Sequence, residues 1–500
     1  MRRKLKVLIV SPEVYPFAKS GQLADIASSL SKALSSLNLE VSIAIPKYRK
    51  PEIESLTTEL IVQGLEVPLG KKVTKANIYQ SELEKSTIYF IDNPKYFFRD
   101  NIYGTNQGDY LDNDERFIFF NRATLEFLIK TKKKFDIIHC QNWPTALIPV
   151  FLNTHYSNHY LFKNTATVLT IHTMAYQGQF PPESLLLTEL NWNLFTSQKL
   201  AFNGKFNFLK AGLLYADVLT TVSQKHVQEI LTGECSFGLE EVINLKGDSF
   251  FGIINGIDYE IWDPEHDKHI AANYHRDDLE SKKICKKDLI KEFNLKVNEK
   301  TPIIAIISYL TVYKGFDLLF EIIDELMKMD LALIALVKGD EKYEEAFNKI
   351  HRKYPRRIGL KLDINPNLAH KIVAGADIFL IPSKYEPCGL NQFYGFRYGT
   401  VPIVRATGGL DETVQEFNLQ TLKGNGFKFK SFSARELLEA IKRALDCYRQ
   451  PHIWQRIMRN GMAQDFSWKT LAERYLKVYQ LALKKRRAGQ KNGTKDKNSE

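Results

Sequence analysis

No Gly-x-Gly-x-x-Gly follows the first apolar run and no GxxxxGK(S/T) occurs anywhere, so the chain lacks the glycine cradles that hold pyrophosphate in dinucleotide enzymes and phosphate-loop nucleotidases. Cysteine is scarce. Cys140, Cys235, Cys285, Cys388 and Cys447 are an odd number, widely scattered and without a Cys-x-x-Cys pair, which argues against a disulfide framework and a zinc site and fits a reducing compartment. Long apolar runs are missing too. None approaches the ~20 residues of a membrane-spanning helix, so no membrane partner and a cytoplasmic location are expected. The opening MRRKLKVLIVSP has the charge order of a secretion signal, yet Leu5 to Val10 is short for its apolar core and no small-residue cleavage site follows, so it reads as a first strand.

What is present is length and basic charge. With 500 residues, 44% of them hydrophobic, the chain exceeds what one core serves, and two large domains are expected. The net charge is +11, of which Lys484 to Glu500 carries +5. That segment has no apolar anchor and reads as a disordered basic tail, 484–500, rather than a nucleic-acid-binding arm. No nucleic-acid partner is expected. The remaining excess is diffuse and suits anionic small substrates in general.

Lys6 to Val10 reads as a strand, Leu23 to Leu37 shows helical spacing, and Val41 to Ile45 reads as the next strand, which makes a βαβ unit. Asp136 to His139, Ala166 to His172 and Ala216 to Val222 add buried strands, so the first half reads as a parallel sheet with covering helices. Asn93 to Asp114, rich in Asn, Asp, Gly and Tyr, reads as a long loop over the site. The pattern restarts after Trp262-Asp263-Pro264, with strands at Pro302 to Leu310, Ala332 to Val337, Ala376 to Pro382 and Val401 to Val404. Helices are expected over Phe316 to Lys328, Leu368 to Ala374, Ala434 to Leu445 and Trp468 to about Lys485.

Two short glycine turns stand between strand and helix: Lys19-Ser20-Gly21-Gln22-Leu23 and Arg405-Ala406-Thr407-Gly408-Gly409-Leu410. Glycine there lets backbone N–H groups approach a phosphate or sugar oxygen, although plain turn chemistry is the commoner reason for it. Just before the second turn comes Ser383-Lys384-Tyr385-Glu386-Pro387-Cys388-Gly389-Leu390-Asn391-Gln392. This stretch closely resembles the SRFEPCGLTQ signature of the bacterial glycogen synthase and plant starch synthase family. The resemblance extends through Ser11-Pro12-Glu13, Asp109 to Phe117, Trp143, His172 with Ala175-Tyr176-Gln177-Gly178, Leu209-Lys210-Ala211-Gly212, Asn255-Gly256-Ile257-Asp258, Lys314-Gly315 and Asp465-Phe466-Ser467-Trp468.

The resemblance implies an α/β protein of GT-B type, two Rossmann-like doubly wound domains facing across a deep cleft. The expected division is an acceptor-side domain over 1–258, a nucleotide-sugar domain over 259–467, a C-terminal helix over 468–483 and the tail. The implied reaction is retaining transfer of glucose from ADP-glucose to the non-reducing end of an α-1,4-glucan, with no metal or other cofactor. By the same resemblance, Glu386, Lys314 and His172 carry the chemistry. Lys314 neutralises the departing diphosphate, and Lys19, Gly21, Tyr309, Thr407, Gly408, Gly409 and Leu410 surround the donor. Trp143 and Tyr110 offer stacking surface to the glucan, though aromatics at such places are as often simply packing. Cys388 reads as a small buried residue rather than a nucleophile. Oligomeric state is not legible.

Several positions depart from the family pattern. Gln22 replaces the second glycine of the first turn, at a conformational cost if its φ is positive. Tyr309 stands where an arginine binds diphosphate, and a phenol cannot supply a bidentate cation. Thr173, Asn142 and Ile364 differ from asparagine, aspartate and a base-stacking aromatic respectively. Three readings stand open: an active glucan synthase, a catalytically weakened glucan-binding or regulatory paralogue, and a transferase of the same fold with another donor.

Overall fold

The computed structural model describes residues 3–105 and 107–495, with side chains as far as 488. The chain divides into two compact units, one of residues 1–222, 227–253 and 468–500, the other of 223–226 and 254–467.

The first unit is built on a nine-stranded sheet: β1 (Lys6–Val10), β2 (Glu40–Pro46), β3 (Glu59–Leu69), β4 (Lys72–Leu83), β5 (Ser86–Asp92), β6 (Ile137–Gln141), β7 (Ala166–Ile171), β8 (Val218–Thr221) and β9 (Phe250–Gly252). Its order is β9-β8-β7-β6-β1-β2-β5-β4-β3, parallel from β9 to β5 and antiparallel over β5-β4-β3. The parallel strands are buried on both faces. That is why they read as unbroken apolar runs such as Val7-Leu8-Ile9-Val10, all fully buried. Helix α1 (Gln22–Ser36) buries Leu23, Ile26, Ala27, Leu30 and Leu34, the residues whose spacing announced it.

The second unit holds a six-stranded parallel sheet: β10 (Ile303–Leu310), β11 (Ala332–Gly339), β12 (Ile358–Lys361), β13 (Ile378–Ile381), β14 (Val401–Arg405) and β15 (Phe427–Phe429), in the order β12-β11-β10-β13-β14-β15. Leu289, Phe293, Ile303, Ile334 and Ile372 lie in the core on one side of this sheet. Both units therefore carry the doubly wound α/β arrangement expected from the two runs of alternating strands and helices.

Three features differ from the sequence reading. The stretch 93–114 is not a bare loop: it contains a helical turn, Pro94–Phe97, a short hairpin, Gly104–Thr105 with Gly108–Asp109, and the start of a long helix, Asn113–Thr131. That helix buries Phe117, Ile118, Phe119 and Phe120 in succession together with Arg116, Asn121, Arg122 and Thr124, and a helix buried on nearly every side, polar residues included, shows no apolar stripe to detect. The strands β3 to β5 also lie outside the strands expected from sequence, and in β3 register shifts between Leu60 and Val62 and between Val62 and Leu65 break the alternation. Finally, the helix starting at Trp468 packs on α1 and β7 and runs to Lys495, so 484–495 is helical where a disordered tail was expected. Residues 496–500 of that expected tail lie outside the described residues. Among the described residues, no helix is long and apolar enough to cross a membrane.

Candidate active site

Each sheet reverses its strand order once, between β1 and β6 in the first unit and between β10 and β13 in the second. Ligands of open α/β sheets bind beside the carboxyl ends of the strands at such a reversal. The residues singled out from sequence fall largely at these two places.

In the second unit, β10 leads into the turn Val312–Lys314 and then Gly315, at φ 71°. A Cβ on Gly315 would lie 2.1 Å from the Pro382 carbonyl oxygen, so only glycine lets the Lys314 turn approach the loop after β13. That approach brings the two expected charges together. Lys314 Nζ donates to Glu386 Oε2 at 2.6 Å, and Ser383 Oγ donates to the same oxygen at 2.9 Å. Glu386 is buried, and its Oε1 accepts no hydrogen bond from the described residues. The loop is pinned from both sides: Lys384 N–H donates to the Tyr313 carbonyl at 2.8 Å, and Arg405 Nε to the Ser383 carbonyl at 2.8 Å.

The second glycine turn serves the same loop. Gly408 sits at φ 46°, and a Cβ there would lie 2.2 Å from the Glu386 carbonyl oxygen. Gly409 N–H, expected to face the donor phosphate, donates instead to the Pro387 carbonyl at 2.9 Å. Leu410 N–H is likewise held, by the carbonyl of buried Thr407 at 3.1 Å, and the Leu410 side chain is fully buried. The amides of Gly409 and Leu410 are therefore both engaged within the protein. Close packing against the Glu386 to Cys388 backbone is what these residues provide. Cys388 is buried, its thiol pushed up by burial, and its Sγ accepts the Asn255 N–H at 3.3 Å, in keeping with a packing role. Tyr309, next to last in β10, is 47% exposed, and Ile364, before the helix Pro366–Gly375, is 52% exposed.

In the first unit, the turn after β1 holds a carboxylate that the sequence reading passed over as a contact residue. Buried Glu13 accepts four hydrogen bonds: Oε2 from Ser20 N–H at 2.5 Å and Gly21 N–H at 3.1 Å, Oε1 from Ser20 Oγ and Tyr103 Oη, each at 2.8 Å. The Gly21 amide expected to meet phosphate is therefore bonded inside the protein. The available signal was positional, since Glu13 is the one acidic residue between β1 and the turn. Gly21 itself is extended, at φ −152°, and a Cβ built on it meets no atom within 4 Å, so nothing in the protein requires glycine there. Gln22 is the first residue of α1, without positive φ and with an exposed side chain, so the conditional backbone cost does not arise. Lys19 Nζ pairs with Asp25, 2.7 Å from Oδ2.

The carboxyl end of β6 is strained. Asn142 adopts φ 59° and ψ −175°, a region that side-chain-bearing residues avoid, and such strain collects at functional sites. Its N–H donates to the Thr170 carbonyl at 2.9 Å, and its Oδ1 accepts His172 N–H at 2.8 Å. His172 Nε2 lies 2.7 Å from Gln141 Oε1, which places the proton on Nε2 and leaves Nδ1 as a buried acceptor unpaired among the described residues. Burial pushes the imidazole down to about 3, so at neutral pH His172 is an uncharged group held by Gln141 and Asn142. Gln141 was another residue missed from sequence.

Trp143 is walled by Phe117, Phe180, Phe208 and Tyr103, with ring centroids 5.0, 5.7, 6.2 and 6.3 Å away, so packing accounts for much of its surface. Tyr110 carries the guanidinium groups of Arg99 and Arg116 at 4.6 and 5.0 Å from its ring centre. Fully buried Arg116 bonds the carbonyls of Tyr96 and Ile102 and the Asn113 side chain, which fixes the segment carrying Tyr110.

These arrangements have counterparts in known proteins. Residues 6–245 match the starch synthase catalytic domain family, and residues 288–461 match the glycosyl transferases group 1 family. A glycogen synthase of Koribacter versatilis is 44% identical over 479 residues, spanning 96% of this chain and 98% of its own length. One from Moorella thermoacetica is 42% identical over 492 residues, spanning 98% and 99%. Among solved structures, the catalytic domain of starch synthase IV from Arabidopsis thaliana bound to ADP and acarbose matches with a TM-score of 0.89 at 30% identity, over 96% of this chain and 100% of that one. Sucrose-phosphate synthase from Thermosynechococcus elongatus, at 15% identity and a TM-score of 0.60, shares the fold alone. With relatives of this identity along nearly its whole length, the chain belongs to the glycogen and starch synthase family of glycosyltransferases and has the two-domain α/β fold of that family.

Proposed function

We propose that the protein lengthens α-1,4-glucan by moving glucose from ADP-glucose to the non-reducing 4-hydroxyl, with retention at the anomeric carbon and without a metal ion. The observation that carries this reading is the Lys314–Glu386 pair, a cation and a buried carboxylate 2.6 Å apart at the strand reversal of the second sheet. An ammonium has three donors, and Glu386 engages one. The others serve the diphosphate, and their attraction grows as negative charge builds on the leaving group. Glu386 plays two parts. Oε2 orients Lys314, while Oε1 takes a hydroxyl of the donor sugar. Neutral His172 acts in this scheme as a fixed polar group near the sugar, not as a proton donor. Lys19 and Gly21 belong to the donor side, and Tyr110 and Trp143 to the acceptor side.

The names of the relatives support the glucan as product, and the ADP and acarbose of the Arabidopsis structure support an adenine nucleotide as donor. A second reading, a glucan-binding relative with a weakened donor site, draws on Tyr309, a neutral phenol in place of a phosphate-binding cation. One assay separates them: transfer of labelled glucose to glycogen or maltooligosaccharide, in the presence of EDTA, from ADP-glucose and from UDP-glucose. The expected result is transfer, faster from ADP-glucose. Absence of label with both donors, while glycogen still binds, selects the second reading.

A further inference from the structure

The helix Gln224–Leu231 and the turn after it gather three metal-ligating side chains of different kinds within ten residues, 226–235. His226 and Glu229 stand three apart and so share a face of the helix. Gly233, at φ 87°, lets the chain reverse, and Cys235 N–H then donates to the Glu229 carbonyl at 3.2 Å, which brings the thiol back to that face. One ligating atom from each of His226, Glu229 and Cys235 lies within 4.8 Å of the other two. His226 is fully buried, Glu229 is 4% exposed, and Cys235 is partly open. The far side of the turn is fixed as well. Ser236 Oγ donates to Glu240 Oε2 at 2.6 Å, and Gln177 Nε2 donates to the Phe237 carbonyl at 3.1 Å.

We propose that His226, Glu229 and Cys235 bind a thiophilic divalent cation of the zinc class, in a site that fixes the turn and takes no part in glucose transfer. The donor set selects the metal. Imidazole, carboxylate and thiolate are zinc ligands, whereas calcium and magnesium take about six or more oxygens and would find one carboxylate here. Bonds of about 2.0–2.3 Å to a tetrahedral ion place ligand atoms about 3.5 Å apart, so the cluster closes by roughly an ångström on binding. Three protein ligands leave the fourth position to water, and the open side of Cys235 is the way in. The cation neutralises a buried carboxylate, and its binding releases the thiol proton to solvent. Scarce cysteine without a Cys-x-x-Cys pair excludes a zinc site built on several thiolates, not one that needs a single thiolate beside imidazole and carboxylate. Because glucose transfer is assayed in EDTA, the metal site and the transfer reaction stand or fall separately.

The test titrates the full chain, reduced and stripped with EDTA, with Co2+. The wild type should take up cobalt with a thiolate-to-metal charge-transfer band in the near ultraviolet and the intense visible bands of a four-coordinate ion, and Zn2+ should bleach both. Cys235→Ser, a near-isosteric change at a partly open position, should lose the charge-transfer band, and Glu229→Gln should weaken cobalt binding by at least about tenfold. Zn2+ at about 100 times its Kd should raise the melting temperature of the wild type by roughly 5 °C or more and leave that of Cys235→Ser unmoved. Without metal, the two proteins should melt alike. Absence of the charge-transfer band in the wild type, its persistence in Cys235→Ser, cobalt affinity unchanged in Glu229→Gln, or an equal melting shift in wild type and Cys235→Ser overturns the site.

Discussion

Lys314 and Glu386 can be separated by asking what each leaves behind when removed. Lys314→Ala leaves a buried carboxylate with Ser383 as its remaining donor among the described residues, so stability should fall by about 1–3 kcal/mol. Turnover should fall on the order of a hundredfold or more, because the cation's attraction to the leaving group is lost. Glu386→Gln should spare stability more and turnover as little. The pair Lys314→Met with Glu386→Gln should recover the melting temperature without recovering activity, since no unpaired charge is then buried. Near-normal turnover in either single variant removes that residue from the mechanism. Tyr309 allows a gain-of-function test: it is half exposed, so a long side chain such as that of Tyr309→Arg has an open side to occupy. Alone or with Gln22→Gly, it should raise turnover per bound donor, an arginine fork adding charge-assisted bonds of about 1.5–3 kcal/mol. A normally folded double variant with no gain from either nucleotide sugar means that the cleft of the family has been rebuilt as a whole. Two histidines give a pH dependence. Burial pushes His172 and His139 down to about 3 each. Unfolded imidazoles take up protons below about 6.5, so stability present at pH 7 is lost as the pH falls from about 6.5 towards 3, by up to ~1.4 kcal/mol per unit and ring. Thermal melts between pH 7.5 and 5 should show this decline, and His139→Gln should flatten it; a melting temperature independent of pH in the wild type contradicts the assignment.

At the scale of elements, the last helix is the most exposed to test. Leu471, Ala472, Tyr475, Val478, Tyr479 and Ala482 are buried on the first unit, and Tyr479 Oη lies 2.9 Å from His139 Nδ1. Tyr479→Phe removes one partner of a buried polar atom and should cost about 1–3 kcal/mol, read from urea or thermal unfolding; an unchanged midpoint would show that the hydroxyl contributes nothing. The same helix marks how far the sequence could be read. Its buried face was legible because Leu471, Tyr475, Val478 and Ala482 recur at helical spacing. Its length was not, because beyond Lys484 there is nothing to bury, although Lys, Arg and Ala remain good helix formers and carry the helix on. Nine of the parallel strands were legible for a related reason, being continuous apolar runs, whereas short β9, β12 and β15 offer too few residues and bulged β3 alternates too irregularly. The site divides likewise. Lys314, Glu386 and His172 could be found from motif and place. Glu13 could not be assigned its bonds, because its partners are the backbone of residues 20 and 21 and a tyrosine ninety positions away. Nor could the inward bonding of Gly409, which depends on how closely the loop carrying Pro387 packs.

At the scale of the whole molecule, the two units differ in how the chain builds them. The second is nearly continuous, 254–467, whereas the first needs the helix Trp468–Lys495 after the chain has left it. The ends of the continuous segment are also tied to each other: Ile257 bridges Ser467, Ile257 N–H donates to the Phe466 carbonyl at 2.9 Å, and Phe466 N–H donates to Tyr259 Oη at 2.9 Å. Residues 254–467 expressed alone should therefore fold and unfold cooperatively, with the Lys314–Glu386 pair intact. Residues 1–253 alone should not, because α1 and β7 lose the helix that covers them and several fully buried side chains are taken away at once. Each such side chain contributes about 1.5–3 kcal/mol of burial, against a domain stability of about 5–15 kcal/mol. Restoring 468–495 through a flexible linker to residue 253 should return a cooperative melt. If 1–253 unfolds cooperatively without the helix, or if 254–467 fails to fold by circular dichroism and thermal denaturation, the division of the core between the units is other than the strand and helix packing implies.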